Sequence, residues 1–110
     1  MDDLAARRCQ PIPAGTPPLS EARVAELLAQ LGDGWAAEAG RLRKTYGFPD
    51  FATALQFVNQ VGAIADADDH HPDVHLGWGK VVIELWTHTV GGLSDSDFIV
   101  AAKIERAGRG

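Results

Sequence analysis

The chain has 110 residues, 45% hydrophobic and 23% charged, which suffices for one compact domain and is too short for two. Ten Lys and Arg against fifteen Asp and Glu give a formal net charge of −5 without any block of like charges, which argues against a nucleic-acid or anionic-membrane surface. The apolar runs are too short for a signal peptide or a membrane span, and the single cysteine, Cys9, cannot form an internal disulfide or a multi-thiolate metal site. We therefore expect a cytoplasmic protein.

Residues 1–18 are predicted to form an extended lead-in, because four of the six prolines lie in the second half of this segment and no apolar period is present. A single domain is then expected over residues 19–110. Its first helix begins after Ser20, a residue type that caps helix N-termini, and continues through apolar residues at helical spacing. Gly32 is expected to end this helix.

A β-hairpin and a second helix follow. The hairpin is predicted from Trp35 to Phe48 with its turn at Gly40, because residues of alternate parity differ in polarity. The second helix begins after Asp50 and carries an apolar stripe wide enough for a central core helix. The stripe is expected to consist of Phe51, Leu55, Val58, Gly62 and Ala65, flanked by Phe57, Val61 and Ile64.

A second hairpin is predicted over residues 73–88, with its turn near Gly77 to Gly79. A last helix is predicted to begin at a Ser-x-x-Asp capping pattern, formed by Ser94 and Asp97, and to continue to about Arg106. Strands that occur in hairpins between helices indicate an α+β fold: a four-stranded antiparallel sheet with three helices packed on one face, in the order α-β-β-α-β-β-α. The last strand is expected to direct one set of side chains inwards: Val81, Ile83, Leu85 and Thr87. The other set is Lys80, Val82, Glu84, Trp86 and His88.

The main functional signal is the clustering of all four histidines, His70, His71, His75 and His88, within nineteen consecutive positions. Because imidazole titrates near neutral pH, such a cluster can both donate and accept protons. The adjacent pair precedes Pro72 at a helix-to-strand corner, which can direct both rings into one cleft. For His75 a structural role is favoured.

A metal site is the second interpretation, since imidazole and carboxylate ligands suit zinc or non-haem iron, although their spacing here matches no established metal pattern. Carboxylates at a helix C-terminus oppose the helix dipole, which favours a role for at least one of them in orienting an imidazole or binding a cationic or amidine-like ligand. The residues in question are Asp66, Asp68, Asp69, His70, His71 and His75.

Few residues are candidates for other kinds of catalysis. The chain has no glycine-rich phosphate loop and no Gly-x-Ser-x-Gly nucleophile motif, and Cys9 lies in a proline-rich segment without a helix N-terminus to activate it. Trp35, Trp78 and Trp86 can either stack on a planar ligand or pack in the core or a subunit interface. Asp97 is interpreted as the capping acid of the last helix.

Taken together, these residues resemble the signature of the pterin-4a-carbinolamine dehydratase family, and the likeness extends over nearly the whole chain from Gly15 onward. The family's antiparallel four-stranded sheet with three helices on one side agrees with the element order derived above. The signature consists of Asp66, His70, His71, Pro72, Trp78, His88 and Asp97.

The resemblance implies dehydration of 4a-hydroxytetrahydropterin to the quinonoid dihydropterin, the recycling step that follows an aromatic amino acid hydroxylase. It implies that His70 and His88 are the general acid–base pair, that His71 mainly binds the pterin with a share in proton transfer left open, and that no metal, redox cofactor or covalent nucleophile is required. The pterin would be held by Asp66, His70, His71, Pro72, Thr87, His88, Thr89 and Val90.

Two further expectations accompany the family. A non-catalytic role, either in pterin binding or as a dimerisation cofactor in protein interaction, is the alternative to the enzyme, and three intact histidines favour the enzyme. A homodimer or homotetramer is expected, because the strand face with Val82 and Trp86 has no helix left to cover it and the edge strands need partners.

Overall fold

The structure is a computed structural model that describes residues 4–32 and 34–109. Within these residues, four strands form one antiparallel sheet in the order β1-β2-β4-β3. The predicted α+β fold and its element order are confirmed. No helix in the described ranges combines the length and hydropathy that spanning a bilayer requires. The elements are α1 (Glu21–Leu31), β1 (Ala36–Glu38), β2 (Arg41–Gly47), α2 (Phe51–Asp68), β3 (Asp73–Gly77), β4 (Lys80–Leu85) and α3 (Asp95–Arg109).

The core lies between the helices and one face of the sheet. The predicted inner set of β4 is confirmed, since Val81, Ile83 and Leu85 are fully buried in the same apolar cluster as residues of all three helices; Val82, of the other set, is also buried. The first helix is confirmed at both ends: the Ser20 hydroxyl accepts a hydrogen bond from the backbone N–H of Arg23 at 3.2 Å, and Gly32 adopts a positive φ of 92°.

The predicted core stripe of α2 is wrong. Phe51 and Leu55 are 44% and 41% exposed, and of the five central positions proposed only Ala65 is fully buried. The adjacent face is buried instead, where Phe57 packs between Tyr46 and Phe48 with ring centroids 4.7 and 5.2 Å away. Both faces are apolar, so hydrophobicity alone does not separate them, and the aromatic contacts with Tyr46 of β2 and with Phe48 just after it select the inner one. The buried residues of α2 are Ala54, Phe57, Val61 and Ala65.

Both hairpins are present, but the second ends earlier than predicted. The first hairpin turns at Ala39 and Gly40, both with positive φ, as a two-residue turn between right-twisted strands requires. Strand β4 ends at Leu85, because the N–H of Thr87 then donates to the carbonyl of Gly92 at 2.8 Å and the chain reverses. Residues 88–90 form a 3₁₀ turn, so this segment is not strand.

The N-terminal segment departs from the extended conformation expected over residues 1–18. Leu4–Ala6 forms one turn of 3₁₀ helix that packs on α3, with Leu4 buried in the core. Burial of this apolar side chain accounts for the turn. Residues 7–18 contain neither helix nor strand, residues 1–3 lie outside the described residues, and the domain division at residue 19 stays a prediction.

A carboxylate near the end of α3 joins this helix to the first hairpin. Glu105 Oε1 accepts hydrogen bonds from Trp35 Nε1 at 3.1 Å, Lys44 Nζ at 2.6 Å and the Tyr46 hydroxyl at 2.7 Å. Burial raises the pKa of Glu105, but the hydrogen bonds from Lys44, Tyr46 and Trp35 outweigh it and hold the pKa below its ordinary value. Trp35 is therefore a core residue whose indole N–H donates to Glu105.

The substitution Glu105→Gln is expected to lower the free energy of unfolding at pH 7 by about 1–3 kcal/mol, because the bonds from Lys44 and Tyr46 lose their anionic acceptor. Since the folded-state pKa of Glu105 is depressed, the contribution is complete above its unfolded pKa of about 4.3 and is lost as pH falls through the folded value. Urea unfolding at pH 7 and at about pH 3 measures both effects. The control is Glu26→Gln, which changes an exposed carboxylate paired with Arg23. It should lower the free energy of unfolding by less than about 1 kcal/mol. Equal losses of stability in the two variants would contradict the role of Glu105.

Candidate active site

The helix-to-strand corner predicted to carry two histidines is present, and its shape comes from the end of α2. Asp69 adopts the left-handed conformation, with φ 50° and ψ 42°, which short polar side chains tolerate. Its N–H bonds back to the carbonyls of Ala65 and Asp66, and the N–H of His70 reaches the carbonyl of Ala65 at 3.2 Å. These bonds fix the direction in which the two histidines leave the helix before Pro72.

The first histidine of the corner points inwards. Its Nε2 lies 2.6 Å from Oδ1 of Asp97, and the His70 side chain is only 15% exposed while Asp97 is fully buried. The second oxygen of Asp97 accepts hydrogen bonds from the Thr87 hydroxyl and the Ser94 N–H, both at 2.9 Å. The Ser94 hydroxyl lies 2.6 Å from Thr87 Oγ1 and donates to it, since Thr87 itself donates to Asp97. The result is a satisfied polar network in the interior.

Asp97 thus has a second role that the sequence analysis missed. Its capping role is confirmed on one side, because its carboxylate accepts from the N–H of Ser94 just before α3. The reciprocal side-chain bond is not made, since the N–H of Asp97 donates to the backbone carbonyl of Ser94, at 3.1 Å, rather than to its hydroxyl. One signal was present in the sequence: Asp97 directly precedes the apolar run that starts at Phe98, where a buried carboxylate would need a hydrogen-bond partner.

The second histidine of the corner points outwards. Its Nε2 lies 2.9 Å from Oδ1 of Asp66, but the two side chains are 55% and 82% exposed. An exposed pair of this kind contributes little to stability. His70 and His71 therefore diverge, one towards the interior and the other towards solvent, where a ligand has access to it.

The third predicted histidine, His88, is linked to His70 through its neighbour in sequence. Thr87 and His70 both hydrogen-bond to the carboxylate of Asp97, and His88 directly follows Thr87 in the chain. The His88 side chain is exposed, and its ring centroid lies 4.6 Å from that of Trp86. It is also the first residue of the 3₁₀ turn rather than a strand residue as predicted, because the 87–92 loop closes at Gly91 with φ 66°.

The remaining predicted contact residues of this loop and corner differ in exposure. Thr89 is exposed, Val90 is buried, and Pro72 is half-buried. Thr87 is also buried, and its hydroxyl is fully engaged. Among these four side chains, that of Thr89 is the most open to a ligand.

His75 lies apart, on β3, with Nε2 3.8 Å from Oε1 of Glu84 and two-thirds of its side chain exposed. In residues 4–32 and 34–109, no three His, Cys, Asp or Glu side chains group as metal ligands. Of the acidic residues considered for a metal, Asp66 pairs with His71 and Asp68 with Lys103.

The cysteine does not present an activated thiol. Burial raises the pKa of the Cys9 thiol above its ordinary value, and the thiol donates a weak hydrogen bond to the Ser96 carbonyl, 3.7 Å away. A raised pKa reduces the thiolate fraction that nucleophilic attack requires.

Fold and site together define an α+β domain in which one imidazole after α2 is hydrogen-bonded to a buried carboxylate of α3, and the next, exposed imidazole pairs with a carboxylate of α2. Residues 17–107 match the family described as Pterin 4 alpha carbinolamine dehydratase. The chain belongs to this family, and the resemblance found in its sequence is confirmed.

Relatives and solved structures agree with the assignment. A protein of Rickettsia bellii, provisionally named a pterin-4-alpha-carbinolamine dehydratase, is 43% identical over 93% of this chain and 91% of its own length. One of Nitrosospira multiformis with the same provisional name is 43% identical over 96% and 92%. The crystal structure of a transcriptional coactivator/pterin dehydratase from Brucella melitensis superposes with a TM-score of 0.78 at 30% identity, covering 83% of this chain and 98% of the other.

A further solved structure shows the fold alone. It is a pterin dehydratase-like protein identified as a RuBisCO assembly factor in the alpha-carboxysome, with a TM-score of 0.60 at 20% identity over 71% of this chain and 93% of the other. The fold therefore also occurs in a protein whose described role is assembly.

The substitution Asp97→Ala is expected to lower the free energy of unfolding by about 3 kcal/mol, because it leaves the buried donors of Thr87 and Ser94 without an acceptor. The matched control is Asp95→Ala in the same turn of α3, where a half-buried carboxylate pairs with Arg7 at 3.5 Å and the loss should stay below about 1 kcal/mol. Urea unfolding at pH 7 compares the two. A cost for Asp97→Ala no larger than that for Asp95→Ala would show that the network does not stabilise the fold.

Proposed function

We propose that this protein catalyses the dehydration of 4a-hydroxytetrahydropterin to quinonoid dihydropterin and water. The observation that carries the proposal is the pair of His70 and buried Asp97, held by Thr87 directly before His88. The reaction needs one proton acceptor and one proton donor, and in the proposal His70, oriented by this carboxylate, and His88 supply them. Membership of the family supports the substrate class.

The reaction is a loss of water from a carbinolamine. The bond from C4a to its hydroxyl oxygen breaks as that oxygen receives a proton, the proton on N5 is removed, and the N5 electron pair forms the new double bond to C4a. One group must accept a proton and another must donate one, with no change in oxidation state. Imidazoles with ordinary pKa values near 6.5 suit both tasks.

The tautomer of His70 follows from its partner. An ionised carboxylate only accepts hydrogen bonds, so the proton of a neutral His70 ring lies on Nε2, which faces Asp97, and Nδ1 carries the lone pair. In the proposal, Nδ1 takes the proton from N5, and Asp97 balances the charge that the ring gains. His88 then delivers the proton to the departing hydroxyl.

The other predicted contacts take supporting roles. His71 and Asp66 are exposed and can contact the ring or its amidine edge directly, as Thr89 can. Thr87 acts through Asp97, because its hydroxyl is not free for a ligand. The proposed pterin-binding set is Asp66, His70, His71, Pro72, Thr87, His88, Thr89 and Val90.

The substitutions His70→Ala and His88→Ala are each expected to lower kcat by about 10²–10⁴, because each removes one proton-transfer group. His71→Ala should mainly raise KM. The measurement is the rate at which 4a-hydroxytetrahydropterin, generated by a coupled hydroxylase, disappears above its uncatalysed rate. His75→Ala is the control, because it removes an exposed histidine outside the corner.

The outcomes separate the competing roles. Full activity in all three corner variants would refute the acid–base assignment, and a large loss of activity on treatment with a chelator would restore the metal-site interpretation. A wild-type protein that binds a dihydropterin but gives no acceleration would be a non-catalytic pterin-binding or protein-interaction member of the family. In the proposal, the physiological substrate comes from an aromatic amino acid hydroxylase.

We also propose that the chain self-associates as a homodimer or homotetramer. Val82 is already buried within the chain, but Phe51 and Leu55 lie one turn apart on the exposed side of α2, and β1 and β3 are edge strands.

Light scattering coupled to gel filtration should give two or four times the chain mass of 11.7 kDa. The substitution Leu55→Glu should lower the measured mass or weaken association, because it places a charge in the apolar patch. Gln56→Glu, which adds a charge at the neighbouring exposed position, is the control. A monomeric wild-type protein at micromolar concentration would contradict the proposal.

A further inference from the structure

We propose that Trp86 is a positioning residue for His88 and that Arg41 fixes Trp86 in place. The inference rests on the proposed function, in which His88 transfers a proton. The side chains that would restrain His88 lie on the sheet face opposite the helices and are not part of the family signature; they are Glu84, Arg41 and Trp86.

His88 differs from His70 in what holds it. His70 is fixed by a hydrogen bond to buried Asp97, whereas in the described part of the chain no hydrogen bond joins a ring nitrogen of His88 to the protein. An exposed imidazole without such a bond samples several rotamers, and a proton-transfer group needs one. Some other contact must therefore restrain this ring.

The indole of Trp86 provides that contact. The two ring centroids are 4.6 Å apart with the planes inclined by 48°. Between them in sequence is Thr87, in extended conformation with φ −109° and ψ 109°, and its side chain is anchored on Asp97. Because side chains two residues apart on an extended chain lie on the same side, anchoring Thr87 inwards brings the indole and the imidazole together on the other side.

Trp86 is restrained in turn from the neighbouring strand. The pairing of Leu42 with Leu85 places Arg41 across from Trp86, and the Arg41 guanidinium carbon lies 4.0 Å from the indole centroid. Arg41 also pairs with Glu84, at 3.6 Å. The contacts therefore run from Glu84 through Arg41 and Trp86 to His88.

The consequence is specific to the chemical step. A loosened His88 ring still leaves the pterin its other contacts, so substrate binding is retained while proton transfer is misaligned. Loss of alignment lowers kcat and leaves KM nearly unchanged. A residue needed only for folding would also lower the apparent kcat at unchanged KM, because less of the protein is active, so kcat is referred to the amount of folded protein in each variant.

The first test compares two substitutions of the indole. Trp86→Leu is expected to lower kcat roughly tenfold, less than the ~10²-fold that a displacement of about 1 Å can cause, with KM changed less than about twofold. Trp86→Phe keeps an aromatic face and should restore kcat to within about threefold of wild type. Equal losses in both variants, or a loss confined to KM, would overturn the positioning role.

The second test uses a matched pair of arginines. Arg41 and Arg43 are both about half exposed, and both pair with Glu84, at 3.6 and 3.5 Å. Only Arg41 lies over the indole among the described residues. Arg41→Gln should therefore lower kcat by about threefold, while Arg43→Gln should leave it unchanged; the same effect from both would assign the loss to Glu84 instead.

The third test is independent of the reaction. In an NMR spectrum of protein with labelled histidines, the indole ring current shifts the ring protons of His88. Trp86→Leu should abolish this shift while the ring signals of His70 and His71 stay in place, which also shows that the variant is folded. Unchanged His88 signals would refute the inference. A wild-type protein with this shift but without dehydratase activity would refute the proposed function and leave the contact intact.

Discussion

The buried carboxylate of Asp97 is the constraint on which the rest of the corner depends. A fully buried charge is stable only when its hydrogen bonds are satisfied, and here the donors come from three parts of the chain. His70 lies after α2, Thr87 after β4, and Ser94 before α3. Their relative positions cannot vary independently, because each must remain within bonding distance of the same carboxylate.

Helix α3 links the site to the first hairpin, because Glu105, near its other end, also accepts hydrogen bonds from distant residues. Asp97 lies in its first turn and Glu105 eight residues later, about 12 Å along the axis. Between them, Phe98 and Ile104 are fully buried. The helix is therefore held at one end by the site and at the other by the first hairpin, with the apolar core between. Stability and site geometry are linked in one element, so a change at Asp97 affects both.

The sequence predicted what depends on local pattern. Caps such as Ser20 and Gly32 and the inner set of β4 were confirmed, because neighbouring residues determine them. The predictions for the core face of α2 and the end of β4 were wrong. The first depends on contacts with Tyr46 and Phe48, which precede the helix, and the second on a backbone bond from Thr87 to Gly92 that side-chain polarity does not indicate. The histidine corner was predictable as a cluster, but its pairing with Asp97 was concealed by the capping pattern that the same residue completes.

The two proposed proton-transfer groups are restrained by different physics, and this difference suits their different tasks. A hydrogen bond from Nε2 to a carboxylate fixes both the orientation and the tautomer of His70, leaving one defined lone pair at Nδ1. Contact with the indole of Trp86 fixes the plane of His88 but places no acceptor on either nitrogen. In the proposal, either N–H of the protonated His88 ring can therefore deliver the proton without moving the ring plane. The contacts of His70 thus fix both its position and its tautomer, whereas those of His88 fix only its position. This is sufficient for a reaction after which both groups return to their starting protonation state through solvent.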